Sequence, residues 1–184
     1  MVLLSPTVRA LGELLTSCES YALKHGLIYN VTKNEFMVFK ADGGKCPEYM
    51  PVISLNGSEL KRVHTFKYLG HYVTDDLDDQ MDIERERKAL AVRCNVLARG
   101  FARCSADVKT TLFKAYCQVF YTCSLWVNYT QQALGALRIQ YNNGFRMLMG
   151  LPWLCSASGM FTTVNVSDFY AIIRHKSASL LCRV

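Results

Sequence analysis

The pattern of the sequence changes at Thr74-Asp75-Asp76-Leu77-Asp78-Asp79-Gln80-Met81-Asp82-Ile83, an acidic stretch without a basic residue. Before this stretch, short apolar runs alternate with turn residues, which is typical of short β-strands. After it, apolar residues recur every three or four positions almost to the end, which is typical of amphipathic helices. The sequence therefore predicts an α+β fold, with a helix and short antiparallel strands in residues 1–73 and an all-helical region from residue 74.

The first part begins with a predicted helix. Ser5 is a plausible N-cap, Pro6 suits a first helical turn, and Gly26 just after His25 is a stop signal. Asn56-Gly57 between two apolar runs is the strongest short signal for a hairpin. Strands are predicted at 27–31, 35–39, 52–55, 60–63 and 66–73.

The second part is predicted to contain four helices, and Gly150-Leu151-Pro152 should interrupt them. A loop is expected at 155–165. These signals indicate two helical segments, residues 74–150 and residues 151–184. The predicted helices are 79–103, 106–127, 131–149 and 167–182.

Bulk composition favours an intracellular protein of the nucleus or cytoplasm. The 184 residues carry a net charge of +6, which is compatible with a polyanionic partner. The eight cysteines form no C-x-x-C pair, so we expect reduced packing residues rather than a metal site or a disulfide framework. No segment is apolar enough to predict a membrane span.

The predicted helix after the acidic stretch has two opposite faces. Ile83, Leu90, Cys94, Leu97 and Phe101 share an apolar face at 100° per residue. The opposite face contains basic residues, and two further bases flank it: Arg85, Lys88, Arg99 and Arg103, with Arg93 and Arg87 beside them. This face is either a solvated surface or a contact for a phosphate backbone.

Asp75-Asp76 is a pair of carboxylates of the kind that holds magnesium in polymerases. Aspartates just before a helix more often cap its free N–H groups and complement its dipole. We therefore predict a capping role for this stretch and no metal site. The aromatic residues Tyr116, Phe120, Tyr121, Trp126 and Tyr129 have helical spacing and are predicted to lie in the core, although stacking on bases is an alternative.

Several segments, in order, resemble the reverse transcriptase domain of non-LTR (LINE-type) retrotransposons. Residues 1–6 look like the strand that follows the family's aromatic-x-Asp-Asp motif, and residues 25–35 are similar to the next palm motif. Phe66-Lys67-Tyr68-Leu69-Gly70 resembles the primer-grip segment. The helices from Asp82 onward look like the thumb, and residues 148–158 are similar to the stretch beyond it. The resemblance implies a partial palm in residues 1–73, a thumb in 74–150 and the start of a post-thumb region in 151–184.

The resemblance also implies roles for individual residues. Lys33 would be the general acid in an intact enzyme. Phe66, Tyr68, Leu69 and Gly70 would hold the primer end. The basic residues of the predicted helix would bind the RNA/DNA template–primer duplex: Arg85, Lys88, Arg93, Arg99 and Arg103.

Catalysis is not expected from this chain alone. The family's catalytic aspartates would precede residue 1, and the two magnesium ions of the intact enzyme need them, so no cofactor is expected here. A palm sheet without its other strands should expose apolar surface and allow association. Two alternatives remain open: a co-opted helical module that binds an acidic partner protein, and a pseudogene product without function.

Overall fold

The computed structural model describes residues 2–30, 33–40 and 50–182. The chain forms an α+β protein with two compact units. Unit 1 consists of residues 1–66 and 74–76, and unit 2 consists of residues 67–73 and 77–184. Residues 151–182 lie in the same unit as the helices of the predicted thumb, because both contribute side chains to one core.

Unit 1 begins with helix α1 (Val8–His25). Its N-cap is Thr7 rather than the predicted Ser5, and the Thr7 hydroxyl accepts a hydrogen bond from the Ala10 N–H. Gly26 ends the helix in the left-handed conformation, as predicted. Helix α1 packs on a small core of unit 1 residues, namely Leu15, Ile53, Leu55 and Leu60.

The strands of the chain are shorter than predicted. They are β1 (Glu35–Phe36), β2 (Ser54–Leu55), β3 (Ser58–Glu59), β4 (Lys61–Arg62), β5 (Thr65–Tyr68) and β6 (His71–Thr74). Strand β1 pairs in parallel with β4, so the prediction of purely antiparallel strands was wrong for this pair. Among the described residues, the strands form three two-stranded sheets, which pair β1 with β4, β2 with β3 and β5 with β6. Of the predicted strand 27–31, residues 27–30 form no strand. Its last residue, Val31, lies outside the described residues.

The hairpin prediction at Asn56-Gly57 is confirmed. These two residues join β2 to β3, with φ of 51° and 73° respectively. Positive φ at both central positions defines a type I′ turn, whose twist matches that of the flanking strands.

Helix α1 leaves apolar side chains uncovered. Leu23 is 87% exposed, Tyr21 is 57% exposed, and Ile28 just beyond the helix is 94% exposed. The helix therefore presents apolar side chains to solvent, while the exposure of a palm sheet and association through it stay predictions.

Unit 2 is built from helices. They are α2 (Gln80–Gly100), α3 (Ala106–Cys117), α4 (Gln131–Met149), α5 (Ala157–Thr163) and α6 (Phe169–Leu181), with a 3-10 turn at Cys123–Leu125. The predicted helix 106–127 was wrong after Cys117, because the following segment turns to bury Phe120 and Trp126. The predicted loop 155–165 was also wrong, because burial of Met160 and Phe161 stabilises α5 there. Gly150 ends α4 in the left-handed conformation, as predicted.

Helices α2 and α4 run parallel to each other. The Thr130 hydroxyl before α4 donates to Oε1 of Gln80 at the start of α2. Fourteen residues further along each helix, Gly144 packs directly against Cys94. The two helices therefore end at the same side of unit 2, at Gly100 and Gly150. No described helix combines the length and apolar character of a bilayer span.

The contact between α2 and α4 makes Gly144 a sensitive position. A Cβ atom at Gly144 would lie 2.3 Å from Sγ of the buried Cys94. We expect Gly144→Ala to lower the free energy of unfolding by about 2 kcal/mol in urea denaturation, since overpacking forces the helices apart. Gly135→Ala on the same helix is the matched control: nothing lies within 4 Å of its Cβ position, so it should be neutral or stabilising. Equal effects of the two changes would contradict the packing.

Candidate nucleic-acid interface

The basic charge of the chain lies in unit 2. Unit 2 contains fourteen Lys and Arg residues against seven Asp and Glu residues, whereas unit 1 contains seven against eight. The formal charges are therefore +7 and −1, which add to the +6 of the whole chain. A polyanion would be attracted to unit 2 rather than to unit 1.

Two of the predicted phosphate contacts on α2 are engaged inside the fold. Nε of Arg85 lies 2.7 Å from Oδ1 of Asp82, and Nη1 of Arg85 lies 3.3 Å from Oε2 of Glu86. Arg93 donates to the other oxygen of Glu86. The side chains of both acids are at most 3% exposed, so these arginines neutralise buried carboxylates. They are poorly placed to bind a phosphate backbone.

The remaining predicted bases are accessible. The Lys88 side chain is 72% exposed and 3.6 Å from a carboxylate oxygen of Glu84. Arg99 is exposed near the end of α2, and Arg103 is exposed in the turn that follows it. Within the described part of the chain, neither arginine has an ion-pair or hydrogen-bond partner.

Helix α3, which follows this turn, carries two further bases. Lys109 is half-buried and Lys114 is exposed, and neither has a described ion-pair partner. The acid among residues 99–114 is Asp107. We call Arg99, Arg103, Lys109 and Lys114 the basic end of unit 2.

Asp82 organises the opposite end of α2. Its carboxylate is fully buried and accepts hydrogen bonds from the Thr122 hydroxyl (2.6 Å), the Trp126 indole N–H (2.9 Å) and the Tyr72 backbone N–H (3.2 Å), besides Arg85. Burial raises its pKa, but the hydrogen bonds outweigh burial and lower the pKa to about 2. Asp82 is therefore an ionised structural centre.

Asp79 and His71 complete the surroundings of this buried carboxylate. Nδ1 of His71 lies 3.1 Å from Oδ2 of Asp82, and Nε2 of His71 lies 3.7 Å from Oδ1 of Asp79. Asp79 stands at the N-cap of α2 but makes no side-chain cap. Its carboxylate accepts instead from the backbone N–H groups of Val127 and Asn128. The capping interpretation was wrong for Asp79, because its carboxylate binds this distant segment instead of the first turn of α2. Asp78, in contrast, does accept a hydrogen bond from the Gln80 N–H.

Asp75 is engaged in unit 1. Oδ2 of Asp75 lies 2.7 Å from Nδ1 of His64, and Oδ1 lies 3.1 Å from Nζ of Lys40. The hydrogen bond from His64, supported by Lys40, lowers the pKa of Asp75. Asp76 is exposed, whereas Asp75 is buried. In residues 2–30, 33–40 and 50–182, no three His, Cys, Asp or Glu residues are grouped as metal ligands would be.

The predicted primer-grip segment forms an exposed hairpin. Leu69 and Gly70 join β5 to β6 with φ of 48° and 87°, and Leu69 is 73% exposed. Leucine rarely adopts positive φ, so this turn is strained. The Tyr121 ring lies beside Gly70. The side chains of the strand before this turn are partly exposed, with Tyr68 at 46% and Phe66 at 37%.

Lys33 lies on the surface of unit 1. Its backbone N–H donates to the Asn30 carbonyl, and its side chain is exposed. Among the predicted site residues, Lys33 and Phe66 belong to unit 1, and the others belong to unit 2. Its role as a general acid stays a prediction.

Three aromatic residues differ from the predicted core assignment or were missed by it. Phe120 and Trp126 are buried as predicted, but Tyr116 is 55% exposed and Tyr121 is 70% exposed. Trp153, which the helical patterns did not single out, is 80% exposed. It follows Pro152 directly, and this turn signal was the one indication that it could lie on the surface.

Comparison with known proteins gives no relative: no family model, no curated protein and no solved structure matches this chain. The reverse transcriptase resemblance therefore stays a prediction from the sequence.

Proposed function

We propose that unit 2 binds nucleic acid, with a template–primer duplex of RNA and DNA as the ligand that the retroelement resemblance implies. The observation that carries the proposal is the basic end. The sixteen residues from 99 to 114 contain its four bases, which have no described partners, and one acid. Each base that neutralises a phosphate releases condensed counterions, which drives binding. Arg85 and Arg93 contribute only indirectly, since they hold α2 in place.

We propose binding without nucleotide addition for this chain. The sequence contains no aromatic-x-Asp-Asp motif, and Asp75 is engaged with His64 and Lys40. Two-metal nucleotidyl transfer requires carboxylates that bring two ions together, and the resemblance places those carboxylates outside these residues.

A second candidate function is supported by the surface of α2. Val92 and Val96 are 62% and 61% exposed between Lys88 and Arg99. A helix face that mixes bases with apolar residues also suits an acidic partner protein, which has its own apolar contacts. In this alternative, the chain is a co-opted interaction module that binds an acidic protein through α2.

Competition binding separates the two candidates. A fluorescently labelled RNA–DNA duplex is bound to the protein and displaced either by the unlabelled duplex or by poly-glutamate, at equal concentrations of negative charge. We expect the duplex to compete at least tenfold better, because arginine binds phosphate with matched geometry. Equal competition, or no binding of the labelled duplex at low salt, would contradict a nucleic-acid function.

A further inference from the structure

The turn after α4 presents a tryptophan to solvent. Trp153 and Leu154 are 80% and 75% exposed, at the centre of a turn closed by a hydrogen bond from the Cys155 N–H to the Pro152 carbonyl (3.0 Å). Large apolar side chains at such exposure are normal when scattered, but two adjacent ones at a turn are unusual. Within the described residues, Trp153 has no ring or cation partner.

This turn is held firmly by the helix before it. Nε and Nη2 of Arg146 donate to the Cys155 carbonyl at 3.2 Å and 2.8 Å, and Nη1 donates to Oδ1 of Asn143 at 2.9 Å. The Leu151 N–H donates to the Arg146 carbonyl at the helix end. Because both sides of the turn are fixed, Trp153 is preorganised on the surface, which lowers the entropy cost of binding through it.

The tryptophan lies at the same side of unit 2 as the basic end. Helices α2 and α4 run parallel and in step, so Gly150 before the turn is level with Gly100, next to Arg99 and Arg103. This part of the chain is basic: residues 108–182 contain six Lys and Arg residues and one acid, Asp168. Proteins hold unpaired nucleotides by combining an exposed aromatic ring for the base with a basic surface for the phosphate backbone.

We propose that Trp153 is a stacking site for an unpaired base of a nucleic acid whose backbone is bound at the basic end. This inference rests on the proposed function and adds the class of ligand: a duplex with a single-stranded extension, in either RNA or DNA. The indole ring stacks on the base, while Arg99 and Arg103 bind flanking phosphates. Stacking does not depend on base identity, so the site has little sequence preference.

The test compares two probes, a blunt RNA–DNA duplex and the same duplex with a single-stranded overhang, offered as an RNA arm and a DNA arm. We expect the wild type to bind the overhang probe about tenfold more tightly. Trp153→Ala should remove this preference and leave blunt-duplex binding unchanged, whereas Trp153→Phe should keep most of it. The chain has two tryptophans, and Trp126 is buried, so quenching of the exposed emission by the overhang probe reports on Trp153 directly.

The outcomes are distinct from those of the proposed function. Charge reversal at Arg99 and Arg103 should weaken binding of both probes, while Trp153→Ala should weaken binding of the overhang probe alone. Equal binding of that probe by wild type and Trp153→Ala, with blunt-duplex binding intact, would overturn the stacking site and leave the proposed function standing. Absence of all binding would overturn both. Unchanged Trp153 emission with bound overhang probe would also refute stacking. The side chain is exposed, so both variants should unfold like the wild type.

Discussion

Replacing Asp82 by asparagine should lower the free energy of unfolding of unit 2 by roughly 3 kcal/mol, because the donors around this buried carboxylate lose their ionised acceptor and Arg85 keeps Glu86 as its remaining acid. Arg85, His71, Thr122 and Trp126 all place nitrogen or hydroxyl groups on this one carboxylate. An asparagine has one acceptor oxygen, and its amino group would face other donors. Urea denaturation followed by far-UV circular dichroism measures the loss.

The control for this change is Asp107→Asn, which removes one exposed carboxylate from the first turn of α3. Its loss should cost less than about 1 kcal/mol, since it acts only on the helix dipole. A cost of less than about 1 kcal/mol for Asp82→Asn as well would show that Asp82 is not the centre of the fold.

The free energy of unfolding should fall at low pH because of the same carboxylate. The pKa of Asp82 is lowered from its ordinary 3.8 to about 2 in the folded chain. The ionised group therefore stabilises the fold fully above its ordinary pKa, and this contribution is lost as the pH falls through the folded value. The Asp82→Asn variant should lack this part of the acid dependence.

Reversing the charge of Arg99 and Arg103 together to glutamate should weaken binding of an RNA–DNA duplex about 100-fold at low salt. Each arginine that binds a phosphate contributes roughly 1.4 kcal/mol, and each introduced glutamate repels the backbone. Both side chains are exposed and without described partners, so stability should change little. Fluorescence anisotropy with a labelled duplex measures the affinity.

The matched control has the same change of net charge in unit 1. Arg9→Glu combined with Lys24→Glu alters two exposed bases of α1 and leaves unit 2 intact. When both double variants are compared at about 0.15 M salt, it should reduce affinity by less than about threefold, because attraction between charges farther apart than the Debye length is screened there. A loss equal to that of the unit 2 variant would mean that net charge, rather than the basic end, governs binding.

Local signals in the sequence predicted much of the fold. Gly26 and Gly150 end their helices because a left-handed residue without a Cβ closes the last turn, and Asn56-Gly57 forms a type I′ turn for a similar reason. Distant contacts could not be predicted in this way. The segment after Cys117 leaves the helical path to bury Phe120 and Trp126, and Asp79 then accepts from the N–H groups of residues 127 and 128, forty-eight and forty-nine positions along the chain.

The candidate site was predicted in part. Helical periodicity placed Arg99 and Arg103 outside the core, and both are exposed. The same periodicity assigned Arg85 and Arg93 to the binding surface. The projection of one helix does not show that other elements bury Asp82 and Glu86, which then need these arginines as counter-charges. Trp153 was missed since its exposure depends on the turn held by Arg146 rather than on any periodic pattern.

The salt dependence of duplex binding tests the central claim most directly. With four phosphate contacts at the basic end, the logarithm of the association constant should fall against the logarithm of salt concentration with a slope of roughly −3.5. The double variant Arg99→Glu, Arg103→Glu should give a slope of about half that size, because two contacts remain. Identical slopes for the two proteins, or wild-type binding that does not respond to salt, would contradict a duplex-binding role for these four residues.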